Sequence, residues 1–298
     1  MRKISNAILD AMELTKISEL RNILKKFRVW AKKKFSQNFL VDREILEKIV
    51  AAAEIQKNEN IVEIGAGTGV LTIELLRKLA RVFAIEIDRE ILPVLNFTTK
   101  KISKNLQIFP IHILQFRVDE ILKTQNYKIV ANIPYHLTSP ILRKFLVESE
   151  NRPQKIILLT QKEVAQKICD EKKNSILRMF IAVFGRAEIL KIVPPKSFFP
   201  APKVDSAILK IEIFEKPKIK IAPREFFNFL KKGFSSPRKM LKNNLSTDLK
   251  IPQKKILEIF ENLKIAENAR AENLSIENWE NLTNEFSQKV FSNSRRAV

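Results

Sequence analysis

The stretch Ile61-Val62-Glu63-Ile64-Gly65-Ala66-Gly67-Thr68-Gly69 constrains this chain more than any other. Apolar, β-branched residues run straight into three glycines, and Val70-Leu71-Thr72-Ile73-Glu74-Leu75-Leu76 follows with helical spacing. The chain of 298 residues has five glycines, so three of the five are spent in this one pentapeptide. Glycine belongs where backbone turns with φ > 0 or lies against a ligand. The spacing therefore predicts strand, tight turn and helix, with a ligand across the turn. A bare glycine turn without a ligand is the weaker reading.

A second apolar run, Val82-Phe83-Ala84-Ile85, ends at Glu86. Its distance from the glycines suits a carboxylate that holds ribose hydroxyls. Nicotinamide and S-adenosylmethionine sites share this arrangement, and both stay open at this point. The next strand end narrows the choice. Lys128-Ile129-Val130-Ala131 runs into Asn132-Ile133-Pro134-Tyr135. An adenine N6 is a poor nucleophile because its lone pair is delocalised into the ring. Acceptors aimed at its hydrogens let it pyramidalise, and the Asn132 side-chain oxygen with the Ile133 carbonyl supplies them. Pro134 holds Ile133 extended, and Tyr135 offers a face for a base. A plain turn closing a strand is the bland alternative, and the two preceding features disfavour it.

Lys and Arg number 54 against 33 Asp and Glu, a net charge of +21 with a pI near 10.0. Such an excess calls for a polyanionic partner, nucleic acid before membrane, although general lysine richness contributes. No apolar run is long enough to span a bilayer. Acidic residues from Asp10 onward fit neither a secretory nor an organellar leader. A single cysteine, Cys169, excludes internal disulfides and fits the cytoplasm. Two histidines and one cysteine leave no zinc-type ligand set, so no metal is expected.

Residues 1–30 read as helix, with Ile17, Leu20, Ile23, Leu24 and Phe27 on one face. From Arg21 to Lys34 there are seven basic residues and no acidic one. A solvated face and a phosphate-contacting arm are both open for Arg21, Lys25, Lys26, Lys32, Lys33 and Lys34. The Phe35–Asp42 segment reads as a loop. Strands and helices then alternate to about residue 169, the pattern of a parallel sheet with right-handed crossovers. Two more strands near 187–193 and 204–213 flank Pro194–Lys203, whose phenylalanines wall a base pocket or plug a core. Beyond residue 215 only helices follow, near 223–233, 237–247, 252–262 and 275–288. The expected division is 1–215, an α/β domain with a basic N-terminal helix, and 216–298, a small α-helical domain. Lys231, Arg238 and Lys239 give the latter its own basic stretch.

Taken together, KKFSQNFLVD, VEIGAGTGVLT, AIEIDRE, ANIPYHLTSPIL, LLTQKEVAQKI, VPPKSFFPAPKVDSAILKI, FSSPRKMLKNNL and RAENLSIENW resemble one family. It is the bacterial small-subunit ribosomal RNA adenine dimethyltransferase family, and the likeness runs from about residue 20 to 280. The resemblance implies a Rossmann-like S-adenosylmethionine-dependent methyltransferase domain with a small C-terminal α-helical domain. It implies N6-dimethylation of two adjacent adenosines near the 3′ end of 16S rRNA, within an immature small subunit, by a cytoplasmic monomer. Carried over by position, Asn38, Leu40, Gly65, Gly67, Glu86 and Asn132 hold S-adenosylmethionine. Asn132, Ile133, Pro134 and Tyr135 form the catalytic motif, and Phe198 backs the target adenine. Three positions depart from the family pattern. Ser36 replaces a glycine, Thr68-Gly69 is a variant of the loop, and His112-Ile113-Leu114 replaces a D-x-L pattern. His112 stands where the family's aspartate accepts from the cofactor's adenine, so that adenine is held differently or more weakly. Two rivals remain: a large-subunit rRNA methyltransferase of the macrolide-resistance type, and a non-catalytic RNA-binding assembly factor. A nicotinamide oxidoreductase ranks behind both.

Overall fold

The computed structural model describes residues 13–32, 37–123, 125–171 and 174–287. Lys33, Lys34 and Ser36 lie outside the described residues, as do residues 1–12 of the expected N-terminal helix. The chain divides into two compact units. One is Met1–Ala165 with Ala187–Ile213, the other Gln166–Arg186 with Phe214–Val298.

The first unit is α/β. Its strands are β1 (Phe39–Leu40), β2 (Asn60–Ile64), β3 (Arg81–Ile85), β4 (Leu106–Phe109), β5 (Tyr127–Asn132) and β6 (Lys155–Gln161), then β7 (Gly185–Val193), β8 (Phe198–Phe199) and β9 (Ser206–Ile213). Seven of them form one sheet in the order β4-β3-β2-β5-β6-β9-β7. From β4 to β6 all pairings are parallel. The parallel sheet expected of the alternating elements is thus present, and the later strand β9 adds to it antiparallel to β6. The strand order reverses between β2 and β5, and a crevice opens at the carboxyl ends where helices leave on opposite faces. β2 and β5 read as continuous apolar runs because both faces are covered. All of β2 is buried, as are residues 127–131 of β5.

Register places the site. Ile64 lies opposite Ile85 on one side and Ala131 on the other. The residues that follow, Gly65, Glu86 and Asn132, therefore emerge side by side. Gly65, Gly67 and Gly69 all adopt positive φ, as their clustering required. The helix Val70–Arg77 then buries Leu71, Leu75 and Leu76, joining Ile61, Val82 and Val130 in the core. Near the chain's start, the described helix covers Ile17–Lys26 and buries Leu20, Ile23 and Leu24. These pack with Val29, Phe39, Ile91 and Val94, whereas Ile17 stays exposed. The Phe35–Asp42 segment is more than a loop. Its residues Phe39 and Leu40 pair antiparallel with Phe199 and Phe198.

The second unit contains the helices Ile176–Phe184, Pro223–Gly233, Leu241–Leu249, Gln253–Asn262 and Ile276–Phe286. The division differs from the sequence expectation of 1–215 and 216–298, since Gln166–Arg186 groups with the helices. Aromatic packing is the reason. Phe180 stacks on Phe227 with ring centres 4.1 Å apart, and Phe184 lies 5.8 Å from the same ring. Asn174 adds a hydrogen bond from Nδ2 to the Leu274 carbonyl, 2.9 Å. No described helix is long and apolar enough to cross a membrane.

Candidate active site

The crevice is a cavity of about 890 Å³ in the first unit. Asn38, Gly65, Gly67, Glu86, His112, Asn132, Ile133, Pro134, Tyr135 and Phe198 all line it. Ten expected residues from six chain segments thus meet at one place. Leu40 does not. Its side chain is buried in the core with Ile45 and Leu46, because alternation along β1 sends Leu40 and Phe39 to opposite sides.

Glu86 closes β3, and two backbone amides hold its carboxylate. Gly67 N–H donates to Oε2 at 2.8 Å, and Asp88 N–H donates to Oε1 at 2.8 Å. A carboxylate offers about four acceptor sites, so capacity remains for a vicinal diol. Burial pushes the Glu86 carboxyl up, and the two amide bonds partly offset it. Gly65 has φ +78, and a Cβ there would stand 3.1 Å from the Asn132 carbonyl. The backbone approach that leaves the crevice open thus depends on glycine. A glycine cradle, a carboxylate with acceptor capacity to spare and an apolar slot beyond it fit S-adenosylmethionine.

Asn132 closes β5. Its Nδ2 donates to the Asn38 carbonyl at 3.2 Å. Only the amide NH₂ can donate to a carbonyl, so the contact sets the flip and leaves Oδ1 as an acceptor. Pro134 has ψ 130, and the Tyr135 hydroxyl shares a 2.7 Å hydrogen bond with Ser206 on β9. Burial raises the Tyr135 pKa, with the Ser206 bond opposing. The hydroxyl contact also fixes where the ring stands along the cavity. Phe198 is buried at the cavity wall. The β1–β8 pairing is extended by Val41 N–H to the Ser197 carbonyl, 2.9 Å, and Ser197 Oγ to Asp42 Oδ2, 2.7 Å.

Three features escaped the sequence reading. Lys32, expected on an RNA-contacting face, lines the cavity and pairs with Asp88 at 2.9 Å and Glu90 at 2.7 Å. Gln37 Nε2 donates to the other Asp88 oxygen at 2.8 Å, and Lys32 N–H donates to Gln37 Oε1. Burial pushes the Asp88 carboxyl up, but the Lys32 and Gln37 hydrogen bonds outweigh it and hold it below its usual value. The third is Glu63, wholly buried in β2, where desolvation pushes its pKa up to about 8. Of these, only Glu63 had a sequence signal, a charge inside an apolar strand.

Other basic residues are placed differently from one another. The Arg21 guanidinium stacks over the Phe199 ring at 4.7 Å, and Lys26 sits over Phe97 at 3.9 Å. Lys25 is exposed, and so are Lys231, Arg238 and Lys239 in the helical unit.

The model of the ribosomal RNA adenine dimethylase family matches residues 29–288. The chain belongs to that family. Among its relatives, the ribosomal RNA small subunit methyltransferase A of Dehalococcoides mccartyi is 34% identical over 273 residues, covering 91% of this chain and 93% of the relative. A dimethyladenosine transferase from Plasmodium falciparum superposes with a TM-score of 0.69 at 27% identity, covering 84% of this chain and 98% of the other. The 23S rRNA methyltransferase ErmE superposes with 0.62 at 25% identity, covering 84% and 100%. The adenine dimethylase family is one of methyltransferases that draw on S-adenosylmethionine, so the expected fold class, enzyme class and cofactor stand.

Proposed function

We propose that this adenine dimethylase methylates N6 of two adjacent adenosines near the 3′ end of small-subunit rRNA, acting on an immature subunit. The observation that carries the proposal is Asn132, whose Nδ2 is tied to the Asn38 carbonyl so that Oδ1 faces the reaction as an acceptor. When bound, S-adenosylmethionine supplies the electrophilic methyl group. Glu86 grips the ribose diol and the glycine turn receives the amino-acid end. Asn132 Oδ1 and the Ile133 carbonyl accept from the adenine amino hydrogens, which restores a lone pair directed at the methyl. Tyr135 and Phe198 hold the base plane. The reaction needs no dedicated base, since the proton leaves after transfer. Positioning and fixed dipoles provide the acceleration.

Arg21 and Lys25 on the N-terminal helix, with Lys231, Arg238 and Lys239 in the helical unit, contact RNA phosphates. The enzyme works as a monomer in the cytoplasm. The likeness to ErmE supports a second reading, methylation of large-subunit rRNA. The test is transfer of labelled methyl to unmodified small subunits, with large subunits in parallel. Label on two neighbouring small-subunit adenosines is expected. Label on the large subunit alone would move the substrate, and no label with tight RNA binding would make the chain an assembly factor.

A further inference from the structure

His112 follows β4, at the start of a short turn Ile113–Gln115. Its ring Nδ1 accepts a hydrogen bond from the Leu114 backbone N–H at 3.1 Å, and the His112 backbone N–H donates to Gln115 Oε1 at 3.3 Å. The ring is therefore part of the cap that ends the strand, and the cap consumes its acceptor. A neutral imidazole has one acceptor and one donor. The nitrogen left over, Nε2, carries hydrogen and can only donate.

Sheet order says what it faces. Along the carboxyl ends the sequence is β5, β2, β3, β4, giving Asn132, the glycine turn, Glu86 and His112 in that order. A nucleoside whose ribose is held on Glu86 extends its base toward β4. There Ile87, Ile111 and Ile113 line the cavity with His112 among them, and Ile87 is 41% exposed. These apolar side chains suit the faces of a flat base, and His112 supplies the polar side chain at its edge.

We infer that His112 recognises the adenine of the bound cofactor by donating from Nε2 to a ring nitrogen acceptor, N1, rather than by accepting from the exocyclic amine. A carboxylate at this place has oxygens enough to cap the turn and still accept from the amine. The neutral ring does not. Recognition here is inverted, from reading a donor on the base to reading an acceptor. The inference rests on the methyltransferase reading of the site and concerns how that site selects its nucleoside.

Equilibrium binding of S-adenosylhomocysteine and two analogues tests it. One analogue carries 1-deaza-adenine, which lacks the acceptor, and the other a purine without the 6-amino group. In the wild-type protein the 1-deaza analogue should bind about tenfold more weakly and the deaminated one within about threefold of the parent. His112→Asn retains both a capping oxygen and a donor, so it should keep the 1-deaza penalty. His112→Asp keeps the cap and should reverse the pattern, penalising loss of the amine. His112→Ala should remove the 1-deaza penalty. A dominant amine penalty in the wild type, or a 1-deaza penalty that survives in His112→Ala, would overturn the inference. Failure of the parent compound to bind the wild type would instead sink the cofactor reading of the whole crevice.

Discussion

In the proposed mechanism one side chain, Asn132, is both anchored and reactive. The bond from Nδ2 to the Asn38 carbonyl costs nothing in reactivity, because the chemistry needs only Oδ1. Asn132→Ala should lower methyl transfer by about 10²–10³, as loss of one preorganised group at a transition state does, while leaving RNA affinity unchanged. Retention of turnover in a single-cycle assay would remove Asn132 from the mechanism. Glu63 behaves oppositely, as a buried acid whose proton is structural. Its pKa, pushed up by burial from 4.5 to about 8, lies above that of the unfolded chain. Between those values the folded state holds a proton the unfolded state has released, so stability falls as pH rises through the window and levels off above it. Glu63→Gln should abolish that slope and melt higher than wild type at pH 9. Parallel melting curves for the two proteins from pH 5 to 9 would contradict the assignment.

Elements meet at the crevice through ties that span long stretches of chain. β1 pairs with β8, and Gln37 and Lys32 both bind Asp88, just past β3. These ties hold the Asn38 segment over the glycine turn, and Asp88 itself stays out of the cavity lining, which predicts a positioning role for it. Asp88→Asn keeps the shape and weakens the grip on Lys32. It should raise the KM for S-adenosylmethionine severalfold with kcat nearly unchanged, and an unaltered KM in a cofactor titration would count against the tie. Asp88 could not be read from the sequence, because its partners lie 51 and 56 residues away and only sheet register brings them near. Gly65, Glu86 and Asn132 were legible because each directly follows an apolar strand run, and parallel pairing aligns strand ends. The Leu40 side chain lies in the core rather than the cavity lining, because motif membership does not say which side of a two-residue strand a side chain faces. In the helical unit, a Cβ on Gly233 would stand 2.2 Å from the Trp279 ring. Gly233→Ala should therefore destabilise that unit by about 1–3 kcal/mol, measurable as a lower denaturation midpoint.

Across the whole molecule the net charge of +21 favours RNA before any specific contact forms. Replacing Lys231, Arg238 and Lys239 together by alanine should weaken RNA binding and reduce the salt slope of log K by about 2, at roughly 0.7 per phosphate for single strands. An unchanged slope would take those side chains off the phosphate backbone. Methyl-donor affinity, measured separately, should not move. By itself the sequence determined the α/β class, the glycine turn, the two strand ends that meet beside it and a charge that favours a polyanion. Those properties reside in local composition: glycines where φ must be positive, apolar runs for buried strands, and an excess of lysine. Tertiary structure decided the rest. It set β9 antiparallel beside β6, drew Gln166–Arg186 to the helical unit through Phe180 and Phe184, and made Lys32 a partner of Asp88. It also spent the His112 acceptor on a backbone cap. Each of these depends on which distant groups become neighbours, and that is fixed by packing and register rather than by any run of residues.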